Sequence, residues 1–185
     1  MPNANLVDGF LQIRVDDDSP LFIRAGMLHK DFPSDFRQIR YFTLRIVQMA
    51  PPEIRQINLL EQQISEVIKN AVKHGNRSRP EKLVKVWYGF SVEHAHLIVE
   101  DEGSGFQDLG KWNEFNRRRQ VALDSQDWEA LSTLVSFRSL TADENDGGNA
   151  LFAALEFWDG GFIFSGRKNS VGMLKRFPRH RHLVR

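Results

Sequence analysis

No cysteine occurs among the 185 residues, which excludes disulfides, thiolate metal sites and a cysteine nucleophile. No apolar run approaches the roughly eighteen residues that a membrane span needs, and the N-terminus lacks the basic-then-apolar pattern of an export signal. These absences fit a cytoplasmic chain with no membrane partner. A surplus of one charge is lacking too: 25 Lys and Arg stand against 24 Asp and Glu. A net charge of +1 gives bulk electrostatics no reason to favour nucleic acid. No repeat, low-complexity tract or linker divides the chain, so residues 1–185 read as a single domain. A chain of this length buries roughly 70% of the surface that it exposes when unfolded.

What is present is organised around Glu66-Val-Ile-Lys-Asn70-Ala-Val-Lys-His74-Gly75-Asn76. From about Pro52, apolar residues recur at Ile57, Leu60, Ile64, Val67, Ile68 and Ala71, one face of a helix. Glu66, Asn70, Lys73 and His74 fall in one sector of the opposite side, because residues four apart stack along a helix. Gly75 supplies the stop.

Phe10 to Val15 and Leu21 to Ala25 alternate apolar and polar residues around an Asp-rich Ser19-Pro20 turn and predict an opening pair of strands. Ser34 or Asp35 caps a helix carrying Phe36, Ile39, Phe42, Ile46 and Val47 inward, and Pro51-Pro52 ends it. Leu83 to Phe90 and Ala95 to Glu100 predict a hairpin. Asp101-Glu-Gly103-Ser-Gly105-Phe106 follows it directly, with glycines that let backbone approach a ligand. About forty residues, 107–146, then form a lid or insertion. They include the cluster Arg117 to Arg119 and a helix around Trp128, Leu131, Leu134 and Val135. Gly147-Gly148 opens an apolar helix, Ala150 to Phe157, and Gly161 to Ser165 and Val171 to Phe177 read as a last strand pair. The basic tail Arg179 to Arg185 reads as a frayed, solvated end.

Taken in order, these motifs resemble the GHKL ATPase superfamily, whose Bergerat ATP-binding fold is shared by gyrase B subunits, MutL proteins and histidine-kinase catalytic domains. Glu66 to Asn76 is similar to the N box, Asp101 to Phe106 to the first glycine box, and Gly147 to Leu151 to the second. The nearest likeness is to the stand-alone anti-sigma-factor serine kinases, which also lack a phosphoacceptor hairpin. The likeness spans Phe10 to Phe177 outside the insertion.

The resemblance implies a two-layer α/β sandwich with helices on one face of a mixed, mostly antiparallel sheet. It implies ATP and Mg2+ as cofactors, with Asn70 as magnesium ligand and Glu66 as the carboxylate that takes a proton from the attacking serine or water. Asp101 would accept from the adenine amino group. Gly103 and Gly105 would lie beside base and ribose, and the amides after Gly147 and Gly148 would face the phosphates. Lys73 or His74 would either reach a phosphate or stand at a solvated helix end, and Ser170 stands where relatives carry a threonine near the adenine. The partners implied are a sigma factor or similar regulator, a small serine-bearing antagonist protein and a second copy of the chain in a homodimer.

The sequence departs from the pattern in three places. Ala150 stands where a second glycine is usual, with Gly147 offering a shifted register. The insertion is longer than the small kinases' lid. Asp143, Glu144 and Asp146 crowd negative charge ahead of the phosphate-facing glycines. A kinase in a partner-switching module is therefore set against a catalytically weak binding module and a detached histidine-kinase catalytic domain. Trp112, Trp128 and Arg117 to Arg119 either anchor a partner or plug the insertion onto the core.

Overall fold

The structure, a computed structural model, describes residues 2–55, 57–135, 137 and 150–178. Strands β1 (Leu6–Val7) and β2 (Phe10–Leu11) make a small antiparallel ribbon. β3 (Arg14–Val15) follows, then β4 (Leu28–Pro33), α1 (Ile39–Val47), α2 (Pro52–Arg55) and α3 (Asn58–Asn70). β5 (Leu83–Phe90) and β6 (His94–Glu100) form the expected hairpin. α4 (Leu109–Asp124) and α5 (Trp128–Thr133) lie in the insertion. α6 (Ala150–Phe157), β7 (Gly161–Phe164) and β8 (Ser170–Arg176) complete the described elements.

The main sheet runs β3-β7-β8-β6-β5-β4, and every pairing is antiparallel except β3 with β7. Alternation along the strands divides its two faces. Val84, Val86 and Tyr88 of β5, Leu97 and Val99 of β6, and Val171 and Met173 of β8 share one core with Phe42, Ile46, Ile64, Ile68 and Leu155 from the helices. The architecture is thus α/β, with a six-stranded mixed sheet packed against helices. Among the described residues, no helix is long and apolar enough to cross a membrane.

The other face is crossed by residues 16–27. Asp16 donates its N–H to the Phe164 carbonyl (3.0 Å), Leu21 lies over Gly172, and the His96 ring meets the Leu21 carbonyl at 2.9 Å. Arg24 then stacks over Trp87 at 3.6 Å and reaches Glu100 at 2.7 Å. This crossing corrects the expected strand at Leu21 to Ala25. Ser19 accepts from the Leu21 N–H, Pro20 occupies the first turn, and a 3-10 turn forms at Pro20–Phe22.

Three other expectations differ. The strand expected over Phe10 to Val15 is interrupted at Gln12 and Ile13, and its two halves join different sheets, β2 the ribbon and β3 the main sheet. Phe36 sits in a 3-10 turn capped by Asp35 and is 50% exposed, so it does not point inward. The helix expected from Pro52 is broken in two, α2 and α3.

The longest described helix, α4, lies in the insertion ahead of the helix expected around Trp128. Three of its amides, three and four residues apart and so on one face, hold extended backbone. Asn113 exchanges two hydrogen bonds with Ile13, at 3.0 and 2.8 Å. Gln120 does the same with Leu11 (2.8 and 3.0 Å), and Asn116 adds a 2.7 Å bond to the Leu11 carbonyl. Asn5 bolts the same N-terminal segment to the carbonyls of Leu155 and Trp158 and to the Phe162 N–H. Trp112 is fully buried against Phe152 and plugs the insertion onto the core, whereas Trp128 is 71% exposed.

Candidate functional site

The site begins where α3 ends. After Asn70 the helix widens into a π turn over Ala71–Gly75, a local irregularity often found at functional positions. Bonding to the fifth residue back adds a residue to the turn. His74 therefore leaves the column that regular four-residue spacing predicts, and it is exposed while Lys73 is half-buried.

Gly75 faces the loop after β6. A β-carbon at Gly75 would overlap the Asp101 carboxylate, and one at Gly103 would overlap the Gly75 carbonyl. Only glycine at both positions allows this approach. The Asp101 Oδ1 accepts from the Gly103 N–H at 2.7 Å; among the described residues Oδ2 accepts nothing. Burial pushes the Asp101 carboxyl up to about 6 and Glu100 adds to the rise, against the Gly103 N–H and the Lys82 charge, which hold it down. The result is a desolvated carboxylate with one oxygen free for a further donor.

β8 and the turn before it close the other side. The Asp101 N–H donates to the Asn169 carbonyl (2.9 Å), and the Asn169 amide donates back to the Asp101 carbonyl (2.7 Å). Gly105, at φ +81°, packs against the Arg167 carbonyl, where a β-carbon would collide. Ser170 lies across from Glu100 in the ladder. It is buried, and its hydroxyl has no partner among the described residues. A buried hydroxyl without a partner marks a place where a water or ligand completes the hydrogen bonding.

Upstream on α3, the Asn70 side-chain amide is half-buried and has no hydrogen-bond partner among the described residues. Glu66, one turn earlier, is held by Lys69 Nζ at 3.3 Å. At 1.5 Å rise per residue, Glu66 stands about 6 Å further back along the α3 axis than Asn70. The structure therefore brings Asp101 and Gly103 into contact with Gly75, the last residue of the π turn that follows α3, with Gly105 and Ser170 on the flanking turn and strand. Gly147, Gly148 and the acidic Asp143, Glu144 and Asp146 lie outside the described residues, as does the tail from Arg179; Ala150 is the first residue of α6.

One residue that organises the site gave little sign in the sequence. Asn76 is wholly buried and donates to Ser34 Oγ (2.8 Å) and the Leu83 carbonyl (2.9 Å), while accepting from the Glu102 N–H (2.8 Å). It ties the end of α3 to the end of β4, the start of β5 and the Asp101 loop. An asparagine after a helix-ending glycine reads as a turn residue, and only the tertiary fold supplies its three partners.

No protein-family model matches the chain, and no curated protein matches it.

Proposed function

We propose that this chain is a Bergerat-type ATP-binding protein-serine kinase and anti-sigma-type regulator, which phosphorylates a small antagonist protein in a partner-switching module. One observation carries the reading: the half-free, desolvated Asp101 carboxylate sits against the end of the helix that bears the unpartnered Asn70 amide and Glu66.

The residues present fit the cofactors on their own chemistry. Asp101 Oδ2 accepts from a purine amino group, and the unpartnered Ser170 hydroxyl offers a second polar contact beside it. The half-buried Asn70 amide, without a hydrogen-bond partner among the described residues, offers one oxygen to a hard cation that phosphate and water would otherwise hold. When bound, Mg-ATP supplies the transferable phosphoryl group and its charge neutralisation. Glu66 receives the proton of the partner's serine hydroxyl, which requires it to leave Lys69.

The test is transfer of label from ATP to a candidate antagonist by the wild type and by Glu66→Ala. Loss of labelling in the variant supports the assignment, and equal labelling removes Glu66 from it. A second reading, a binding module without turnover, draws on the Lys69–Glu66 pair and on Ala150 at the start of α6. It predicts saturable nucleotide binding with no transfer from either protein.

A further inference from the structure

Beside the Asp101 loop, on the side of the α3–β5 connection, lies a cleft of about 160 Å³ lined by Gly75, Arg77, Arg79, Lys82, Glu102, Gly103 and Ser104. That is room for several waters or one small anionic group. Three cations and one carboxylate face it, so its side chains carry two net positive charges. The carboxylate is already engaged: Glu102 Oε2 accepts from the Leu83 N–H at 3.3 Å. Lys82 Nζ is steadied on the Glu102 carbonyl at 3.0 Å. Among the described residues, neither the Arg77 nor the Arg79 guanidinium has a partner, and the Ser104 N–H has no acceptor.

The frame is fixed in advance. Arg77 and Ser78 hold positive φ, +57° and +51°, in succession, a conformation uncommon for residues other than glycine. The Ser78 N–H is tied to the Val72 carbonyl (2.8 Å), and the buried Asn76 anchors the segment from below. Paired guanidinium forks, an ammonium and a free backbone N–H form a donor set suited to tetrahedral oxyanions. A phosphate monoester carries about −1.5 to −2 at neutral pH, which matches the uncompensated charge. We propose that this cleft binds a phosphoryl dianion, either on a phosphorylated side chain or as free phosphate. The site stands on its own geometry and does not depend on purine binding at Asp101.

The experiment is a proton–nitrogen NMR titration of the full-length chain at pH 8 and constant ionic strength. Inorganic phosphate is added first, then a phosphoserine peptide and its unphosphorylated form. Saturable shifts are expected at the Ser104 amide and at the Arg77 and Arg79 side-chain Nε–H signals. The double variant R77Q/R79Q should weaken binding at least tenfold, and R77K/R79K should restore part of it; both arginines are exposed, so folding is checked by the unchanged remainder of the spectrum. A phosphopeptide at least tenfold tighter than phosphate assigns the cleft to a phosphorylated side chain, and equal affinity assigns it to the free anion. Unsaturable shifts, an equal response to acetate, or undiminished binding by R77Q/R79Q would overturn the proposal.

Discussion

Gly75 and Asp101 are packed so closely that any side chain at position 75 must displace the carboxylate. The contact joins the end of α3 to the loop after β6 and sets the orientation of the proposed purine acceptor.

It follows that Gly75→Ala should spare the fold and damage the site. The atoms in the way belong to the end of a side chain, so Asp101 can rotate aside. Purine-nucleotide affinity should fall at least tenfold, with a stability loss of about 1 kcal/mol, the low end for an added methyl group. Gly103→Ala meets the Gly75 backbone instead, which cannot turn away, and should cost about 1–3 kcal/mol. Denaturant midpoints of the two variants, read beside their nucleotide affinities, check the contrast.

Asp101→Asn should stabilise the nucleotide-free protein at neutral pH. The Asp101 carboxyl titrates at about 6 in the fold against its usual 3.8, so between those values the folded state binds the extra proton. Stability contributed by the neutral acid is therefore present below about 3.8 and lost as pH rises through 6. At 1.36 kcal/mol per pKa unit the ionic penalty above pH 6 is about 3 kcal/mol, and solvent contact at the rim reduces it to about 1–2 kcal/mol. Glu100 and Lys82, the charged neighbours that contribute to the shift, act in opposite senses. Urea unfolding of both proteins at pH 5 and 7.5 should show the asparagine advantage growing with pH.

Asn76→Ala removes three hydrogen bonds at a wholly buried point and leaves the Glu102 N–H, the Leu83 carbonyl and the Ser34 hydroxyl without their partner. The expected loss is about 2–3 kcal/mol. Asn76→Asp, whose ionised side chain cannot donate, should also destabilise, and the thermal unfolding midpoints of both variants should lie below that of the wild type.

Asn113→Ala should loosen α4 and the N-terminal segment together. Two hydrogen bonds to Ile13 disappear, at a cost of about 1–2 kcal/mol. Amide exchange should quicken both in residues 10–15 and along 109–124. Faster exchange in only one of them would show that the amide clamp does not couple them.

The sheet's inner strands were legible because their two faces differ: Val84, Val86 and Tyr88 alternate with Lys85 and Trp87, and period-two patterning survives wherever one face is buried. α6 was legible from its apolar run. α4 was not: Leu109, Trp112 and Phe115 reach the core from its first half alone, and beyond them it meets its neighbours through Asn113, Asn116 and Gln120, polar residues that recognise backbone and look like a solvated surface in sequence. The crossing at residues 16–27 escaped for a related reason. Its contacts, Leu21 over Gly172 and Arg24 over Trp87, join residues far apart in the chain and leave no periodic trace. Within the site, Asp101, Gly103 and the end of α3 could be picked out from local motifs. The clamp by Asn169 and the bolt at Asn76 depend on segments that only folding brings together.

In the proposed complex the Asp101 loop and Asn70 hold the two ends of one purine nucleotide. Calorimetric titration of the wild type, Asn70→Ala and Asp101→Asn with adenosine and with ATP, each with and without magnesium, separates the two ends. The wild type should bind Mg-ATP saturably. Asn70→Ala should keep adenosine binding and lose the magnesium effect, and Asp101→Asn should lose both ligands. Failure of the wild type to saturate, or Mg-ATP binding unchanged in both variants, would rule out that two-ended grip.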